Sequence, residues 1–201
     1  MAKEKYPLIG VLALQGAFRE HVAALTRLGA PTREVRQLKD MDGIGAMVIP
    51  GGESTTMGKL LVDLGMLEPL RERIEGGMPV YGSCAGLILL CRHIEGSEQP
   101  RLGVLDATVR RNAFGRQVDS CEADLAIPER GPEPLPAVFI RAPVILSTGP
   151  AVQVLARVEM DGAERAVAVR EGRILATSFH PELTPDTRFH QYFLNLCEGA
   201  A

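Results

Sequence analysis

Gly82-Ser83-Cys84-Ala85-Gly86 lies between the short run Pro79-Val80-Tyr81 and the apolar stretch Leu87-Ile88-Leu89-Leu90-Cys91. A nucleophile flanked by glycines, between a strand and a helix, is the pattern of a nucleophile elbow, here with Cys in place of Ser. The turn is tight, so its flanks need residues with little or no side chain. The sulfur is placed at a helix N-terminus, where the positive end of the dipole favours thiolate. The Ala85 N–H then points to where an oxyanion forms. The alternative is that Cys84 is a small buried hydrophobe, the reading that suits Cys91, Cys121 and Cys197. The strand–elbow–helix context favours the nucleophile.

A Cys nucleophile needs a base, and the base needs an orienter. His180 ends the apolar run Ile174–Phe179 and is followed by Pro181-Glu182. Residues two apart on an extended segment point to one side, and Pro181 biases His180 away from helical geometry. The spacing therefore predicts the Glu182 carboxylate beside the His180 ring. Alone, His-Pro-Glu reads equally as a turn opening a loop; with the elbow it completes a Cys–His–Glu triad. His21 falls on the first predicted helix, His93 at the end of the helix after the elbow, and His190 on the last helix. These three read as solvated or capping residues.

Pro50-Gly51-Gly52-Glu53-Ser54-Thr55-Thr56 precedes Gly58-Lys59 and invites a phosphate-loop reading. The pattern fails at both ends, with Glu53 in place of the first Gly and Leu60 in place of Ser/Thr. A strand-ending turn is expected instead, with Glu53, Ser54 or Thr55 capping the next helix. The glycine pair also lets backbone approach a ligand closely, which offers a second oxyanion donor from Gly52. Arg110, Arg111 and Arg141 sit near predicted strand ends, suited to carboxylate recognition or to surface ion pairs. Asp186 and His190, with no third ligand at suitable spacing, read as an exposed pair rather than a metal site.

Several elements must position these groups. Leu8–Leu14 and Ala46–Ile49 are apolar runs of the kind buried on both sheet faces. Phe18, Val22, Leu25 and Leu28 recur at helical spacing, as do Met57, Leu60, Leu61 and Leu64. Strands alternating with helices predict a three-layer α/β fold, a mainly parallel sheet with helices on both faces. One strand is predicted at Val104–Arg110. Ala137–Ile140, Val152–Val158, Ala166–Val169 and Ile174–Phe179 follow with little helix between them, so the C-terminal portion is predicted to be antiparallel. An amphipathic helix over Thr187–Cys197 closes the chain.

The 201 residues carry 22 Lys+Arg against 25 Asp+Glu, a net charge of −3. That balance gives no footprint for nucleic acid and no basic run for a membrane surface. No apolar stretch has the length of a membrane span and no leader pattern is recognisable. The four cysteines form no CxxC pair, which suits a reducing, cytoplasmic compartment. With no internal repeat or linker, a single domain over residues 1–201 is expected.

These segments resemble the class I, triad-type glutamine amidotransferases, and among them the glutaminase subunits of pyridoxal 5′-phosphate synthase. The elbow and Ser178-Phe179-His180-Pro181-Glu182 mark the superfamily. Gln15-Gly16, Arg111-Asn112-Ala113-Phe114-Gly115-Arg116-Gln117 and Phe139-Ile140-Arg141-Ala142-Pro143 mark the subunit. The resemblance implies a flavodoxin-like class I glutaminase fold, with Cys84 as nucleophile, His180 as base and Glu182 as orienter. It places Gly52, Glu53, Ser54, Arg111, Ile140 and Arg141 on the substrate L-glutamine and Gln15 at the partner interface, and it implies neither cofactor nor metal. It also implies a synthase (lyase) subunit as partner, which receives the ammonia and whose docking organises the oxyanion hole of Gly52 and Ala85. Ser83 stands where the family more often has Thr, and Cys121 where a bulkier apolar residue is usual. Two other readings share parts of this pattern. One is the glutaminase of imidazole glycerol phosphate synthase; the other is a non-enzymatic redox-sensing α/β protein, which would need no His-Pro-Glu.

Overall fold

A computed structural model describes residues 5–111, 120–127, 133–160 and 162–198. The 112–117 segment and part of the Pro128–Pro136 stretch therefore lie outside the described residues. Four parallel neighbours form the centre of a ten-stranded sheet: β1 (Ile9–Leu12), β3 (Ala46–Ile49), β4 (Val80–Ser83) and β12 (Ile174–Thr177). Every residue of β1, β3 and β4 is buried, as their unbroken apolar runs predict. β2 (Thr32–Val35) pairs with the outer side of β1. Beyond β12 the sheet turns antiparallel through β11 (Ala163–Glu171) to β9 (Val144–Thr148), then β6 (Leu105–Arg110) and its parallel neighbour β5 (Cys91–Ile94). β10 (Gln153–Met160) pairs with β11, and β7 (Ser120–Leu125) with β8 (Leu135–Ile140) makes a separate two-stranded ribbon.

Side chains alternate across the sheet and fill two cores. In β3, Met47 and Ile49 join one core, whereas Ala46 and Val48 join the other. The first core packs under α2 (Ser54–Asp63), α3 (Leu67–Glu75) and α4 (Ala85–Leu90) through Met57, Leu61, Leu70 and Leu87. The second packs under α1 (Phe18–Arg27) and α5 (Arg188–Cys197) through Leu25, Phe189 and Phe193. The expected three layers and the antiparallel C-terminal portion are both present.

Some boundaries differ from expectation. β2 has two exposed central residues, so an edge strand of Thr-Arg-Glu-Val carries no apolar signature. The helix after the elbow ends at Leu90, because Cys91 adopts extended geometry (φ −61°, ψ 141°) and begins β5. His93 is therefore an exposed strand residue, not a helix-end one.

Candidate active site

The C-terminal ends of β1, β3, β4 and β12 lie side by side, because all four run parallel. In open α/β sheets that edge is where ligands bind. Gln15, Gly51-Gly52, Cys84 and His180 each follow one of these strands. With Glu53, Ser54, Arg111, Ile140 and Arg141, they line a cavity of about 510 Å³.

The elbow is as tight as its glycines predict. Cys84 sits at φ 49° and ψ −101°, a left-handed region that non-glycine residues occupy only when surrounding structure holds them there. The hold is visible: Cys84 N donates to Thr177 O at 2.8 Å, and Ile88 N to Cys84 O at 3.2 Å. A Cβ on Gly82 would come within 2.6 Å of the Gly86 carbonyl carbon, and one on Gly86 would overlap Ile49 O. Ala85 is the first residue of α4, so its N–H is one of the helix's orphan donors.

His180 Nδ1 lies 2.8 Å from Glu182 Oε1. The two meet for a different reason from the alternation expected on an extended segment. β12 stops at Thr177, and Pro181–Leu183 form one turn of 3-10 helix that folds the carboxylate back onto the ring. The His180 N–H donates to Val138 O at 2.8 Å, tying the residue to the β7–β8 ribbon. Burial alone would lower the basicity of the ring. Hydrogen bonding to Cys84 and Glu182, with their negative charges, outweighs it and pushes the pKa from 6.5 up to about 10. Burial disfavours the Glu182 carboxylate too, but the His21 and His180 rings beside it hold it well below the usual range.

On the open side, Glu53 caps α2, accepting from Thr55 N (3.2 Å) and Thr56 N (2.8 Å). Arg111 reaches across to it, with Nη2 at 3.3 Å from Glu53 Oε1. Arg111 Nη1 also donates to Thr55 Oγ1 at 3.0 Å and to Gln99 Oε1 at 2.7 Å. Ser54 Oγ and Thr55 Oγ1 donate to the same Gln99 oxygen at 3.4 Å and 3.2 Å. Gln99 thus anchors three residues of this wall, and nothing in Ser97-Glu98-Gln99-Pro100 marks it in the sequence. Arg141 adopts φ 42° at the cavity edge. The Gln15 side-chain oxygen accepts from Glu53 N at 2.7 Å, and a Cβ on Gly52 would strike it. A Cβ on Gly51 would overlap His180 Cε1, so the glycine pair is a steric requirement of Gln15 and His180.

Behind the triad, two expectations fail. His21 and His190 are completely buried, not solvated or capping. His21 Nδ1 lies 2.9 Å from His190 Nε2, and His21 Nε2 lies 3.0 Å from Ser83 Oγ and 3.4 Å from Glu182 Oε2. Asp186 pairs instead with Arg188, at 2.6 Å, so no Asp186–His190 pair forms. Helical periodicity places both histidines on apolar faces, where Leu25, Phe189 and Phe193 also point; that was the available signal. Among the described residues no group of three or more His, Cys, Asp or Glu is arranged to hold a metal, and no helix is long and apolar enough to cross a membrane.

A cysteine elbow opposite a His–Glu pair, at the carboxyl edge of a mostly parallel sheet, defines an α/β protein of the amidotransferase type. The chain belongs to the SNO glutamine amidotransferase family, which matches residues 11–199. It is 56% identical over 192 residues to a pyridoxal 5′-phosphate synthase subunit PdxT of Carboxydothermus hydrogenoformans, covering 95% of this chain and 98% of the relative. A subunit of the same name from Pelotomaculum thermopropionicum is 58% identical over 192 residues, with 96% of each chain covered. A crystal structure of a glutamine amidotransferase superposes with a TM-score of 0.87 at 52% identity, covering 94% of this chain and 98% of the other.

Proposed function

We propose that this chain is the glutaminase subunit of a pyridoxal 5′-phosphate synthase, one cytoplasmic domain over residues 1–201 that hydrolyses L-glutamine to glutamate and ammonia. Cys84, as thiolate, attacks the side-chain amide carbon. The oxyanion is held by the N–H groups of Gly52 and Ala85. His180 gives its Nε2 proton to the departing nitrogen, so ammonia leaves and a γ-glutamyl thioester remains. The same ring then takes a proton from water; the hydroxide adds to the thioester, and glutamate leaves as the thiolate is restored. Glu182 keeps the Nδ1 proton on His180 and so presents Nε2 to both steps.

Glu53, Ser54, Arg111, Ile140 and Arg141 bind the amino-acid end of glutamine. Arg111 supplies the cation for its carboxylate, and Glu53 the anion for its ammonium group. Gln15 faces the synthase subunit, which takes up the ammonia. The names and high identity of the relatives support this pathway over the imidazole glycerol phosphate reading. His-Pro-Glu, its carboxylate on the histidine, counts against a sensor cysteine. The 2.8 Å His180–Glu182 contact beside Cys84 carries the proposal.

Glutamate release from L-glutamine, measured with and without a pyridoxal 5′-phosphate synthase subunit, tests it. Turnover is expected to appear or rise sharply when the partner is added. Turnover indifferent to the partner would reopen the acceptor, and no turnover in either case would overturn the glutaminase.

A further inference from the structure

Among the buried polar side chains that the reaction just described leaves unused, three adjoin one another behind Glu182: His21, Ser83 and His190. Each is fully buried, and each comes from a different element, α1, β4 and α5. Buried polar groups are tolerated when they are hydrogen-bonded, and these bonds have a direction that can be worked out.

The outermost member fixes the order. His190 Nδ1 has no hydrogen-bond partner among the described residues. Burial lowers the His190 pKa to about 3, so the ring is neutral and carries one proton. A proton on Nδ1 would be a buried donor without an acceptor, a costly arrangement. On Nε2 it donates to His21 Nδ1 across 2.9 Å. His21 Nδ1 is then an acceptor, and the His21 proton resides on Nε2. That proton faces Ser83 Oγ at 3.0 Å and Glu182 Oε2 at 3.4 Å. The Ser83 hydroxyl, receiving from His21, turns its own proton to Glu182 Oε1 at 3.5 Å. The series of donors runs from His190 through His21 and Ser83 to one carboxylate.

Glu182 Oε2 has no hydrogen bond of its own among the described residues. A buried carboxylate with only His180 for company would draw the proton from Nδ1 and leave the imidazole in the wrong tautomer. A donor on the far side lowers that tendency and fixes the plane of the carboxylate. The Tyr81 ring walls the pair in, its centroid 5.8 Å from that of His21 and 6.1 Å from that of His190.

We infer that His21 is a positioning residue of the glutaminase reaction: its Nε2–H, oriented by His190, holds Glu182 ionised and turned towards His180. The inference rests on the glutaminase reading above, and its test separates the two.

The chain is assayed with its synthase subunit as unaltered protein, His21→Leu, His21→Gln and Cys84→Ala. Leu fills the space without a donor, whereas Gln returns an N–H near the Nε2 position. The expected result is a kcat for His21→Leu lowered about 10- to 100-fold, the usual range for residues that orient a catalytic ligand. KM for glutamine should stay within about twofold, since uniform binding is untouched. His21→Gln should recover most of the loss. A packing role alone would lower stability but leave kcat per folded chain in place. If His21→Leu turns over within about threefold of the unaltered chain, His21 is not a positioning residue; Cys84→Ala, still inactive, would then keep the glutaminase. Turnover that survives Cys84→Ala would overturn both.

Should His21→Leu fail to fold, long-range nitrogen–proton NMR of 15N-histidine in the unaltered chain decides the matter. A proton on Nε2 and none on Nδ1 is expected at both His21 and His190. An Nδ1–H tautomer at His21 would aim a lone pair at Glu182 and overturn the inference.

Discussion

The His180–Glu182 pair has two sides built on different terms. On the open side stand Glu53, Arg111 and Arg141, exposed or half-exposed, the first two joined by a hydrogen bond that a ligand can replace. On the closed side stand His21, Ser83 and His190, with no exposure and no slack. Surface ion pairs contribute about 0–1 kcal/mol because water screens both partners, so the open side can exchange partners at little cost. The closed side cannot, because a buried donor or acceptor left unmade costs about 1–3 kcal/mol. One side is built to release its contacts and the other to keep them.

The difference can be broken most sharply at the point the two sides share. Cys84→Ala should reduce glutamate release by on the order of 10⁴-fold or more, since loss of a nucleophile removes the covalent route. Its melting temperature should stay close to that of the unaltered chain. Gly51→Ala probes the boundary, because its Cβ would displace the His180 ring. A shift of about 1 Å in a reacting group costs around 10²-fold, so kcat should fall by that order while glutamine still binds.

Arg111→Ala tests the open side alone. Removing one charge-assisted contact costs about 1.5–3 kcal/mol, so KM for glutamine should rise about 10- to 100-fold with kcat little changed. A fall in kcat with constant KM would move Arg111 from binding into catalysis.

The smallest effect concerns pH. The folded pKa of His180 is raised, from 6.5 to about 10, so its contribution to stability is full below about pH 6.5 and is lost as pH rises through about 10. Melting temperature should therefore decline less steeply across that window in His180→Gln than in the unaltered chain. Equal slopes would mean that the ring gains no proton affinity on folding.

The same two sides differ in what their sequence discloses. Gly82-Ser83-Cys84-Ala85-Gly86 is a local pattern that dictates its own backbone, so the elbow is legible in the sequence, whereas the closeness of His180 and Glu182 is legible but the 3-10 turn that produces it is not. Strands β1 and β3 are legible because burial on both faces leaves unbroken apolar runs. His21 and His190 were misjudged because a histidine's protonation and partners are set by what packs across from it, here a helix from the far end of the chain. Gln99 escaped notice because its role lies in accepting from Arg111 and Ser54, neither of them near it in sequence. β2 went unread for want of any apolar residue at its exposed positions.

The strand order carries a consequence in time. β12 is the last strand of the chain, yet it inserts beside β4 at the middle of the sheet, with Ser83 paired to Thr177. Pairings between distant segments form late, after the loop-closure cost has been met. As the polypeptide leaves the ribosome, Cys84 emerges long before the segment that carries His180 and Glu182. The amide that holds the elbow, Cys84 N to Thr177 O, has no acceptor until then. A chain cut short before β12 lacks both the ion-paired histidine and the wall that shapes the elbow. Incomplete copies therefore carry the cysteine without the arrangement that the proposed glutaminase reaction needs.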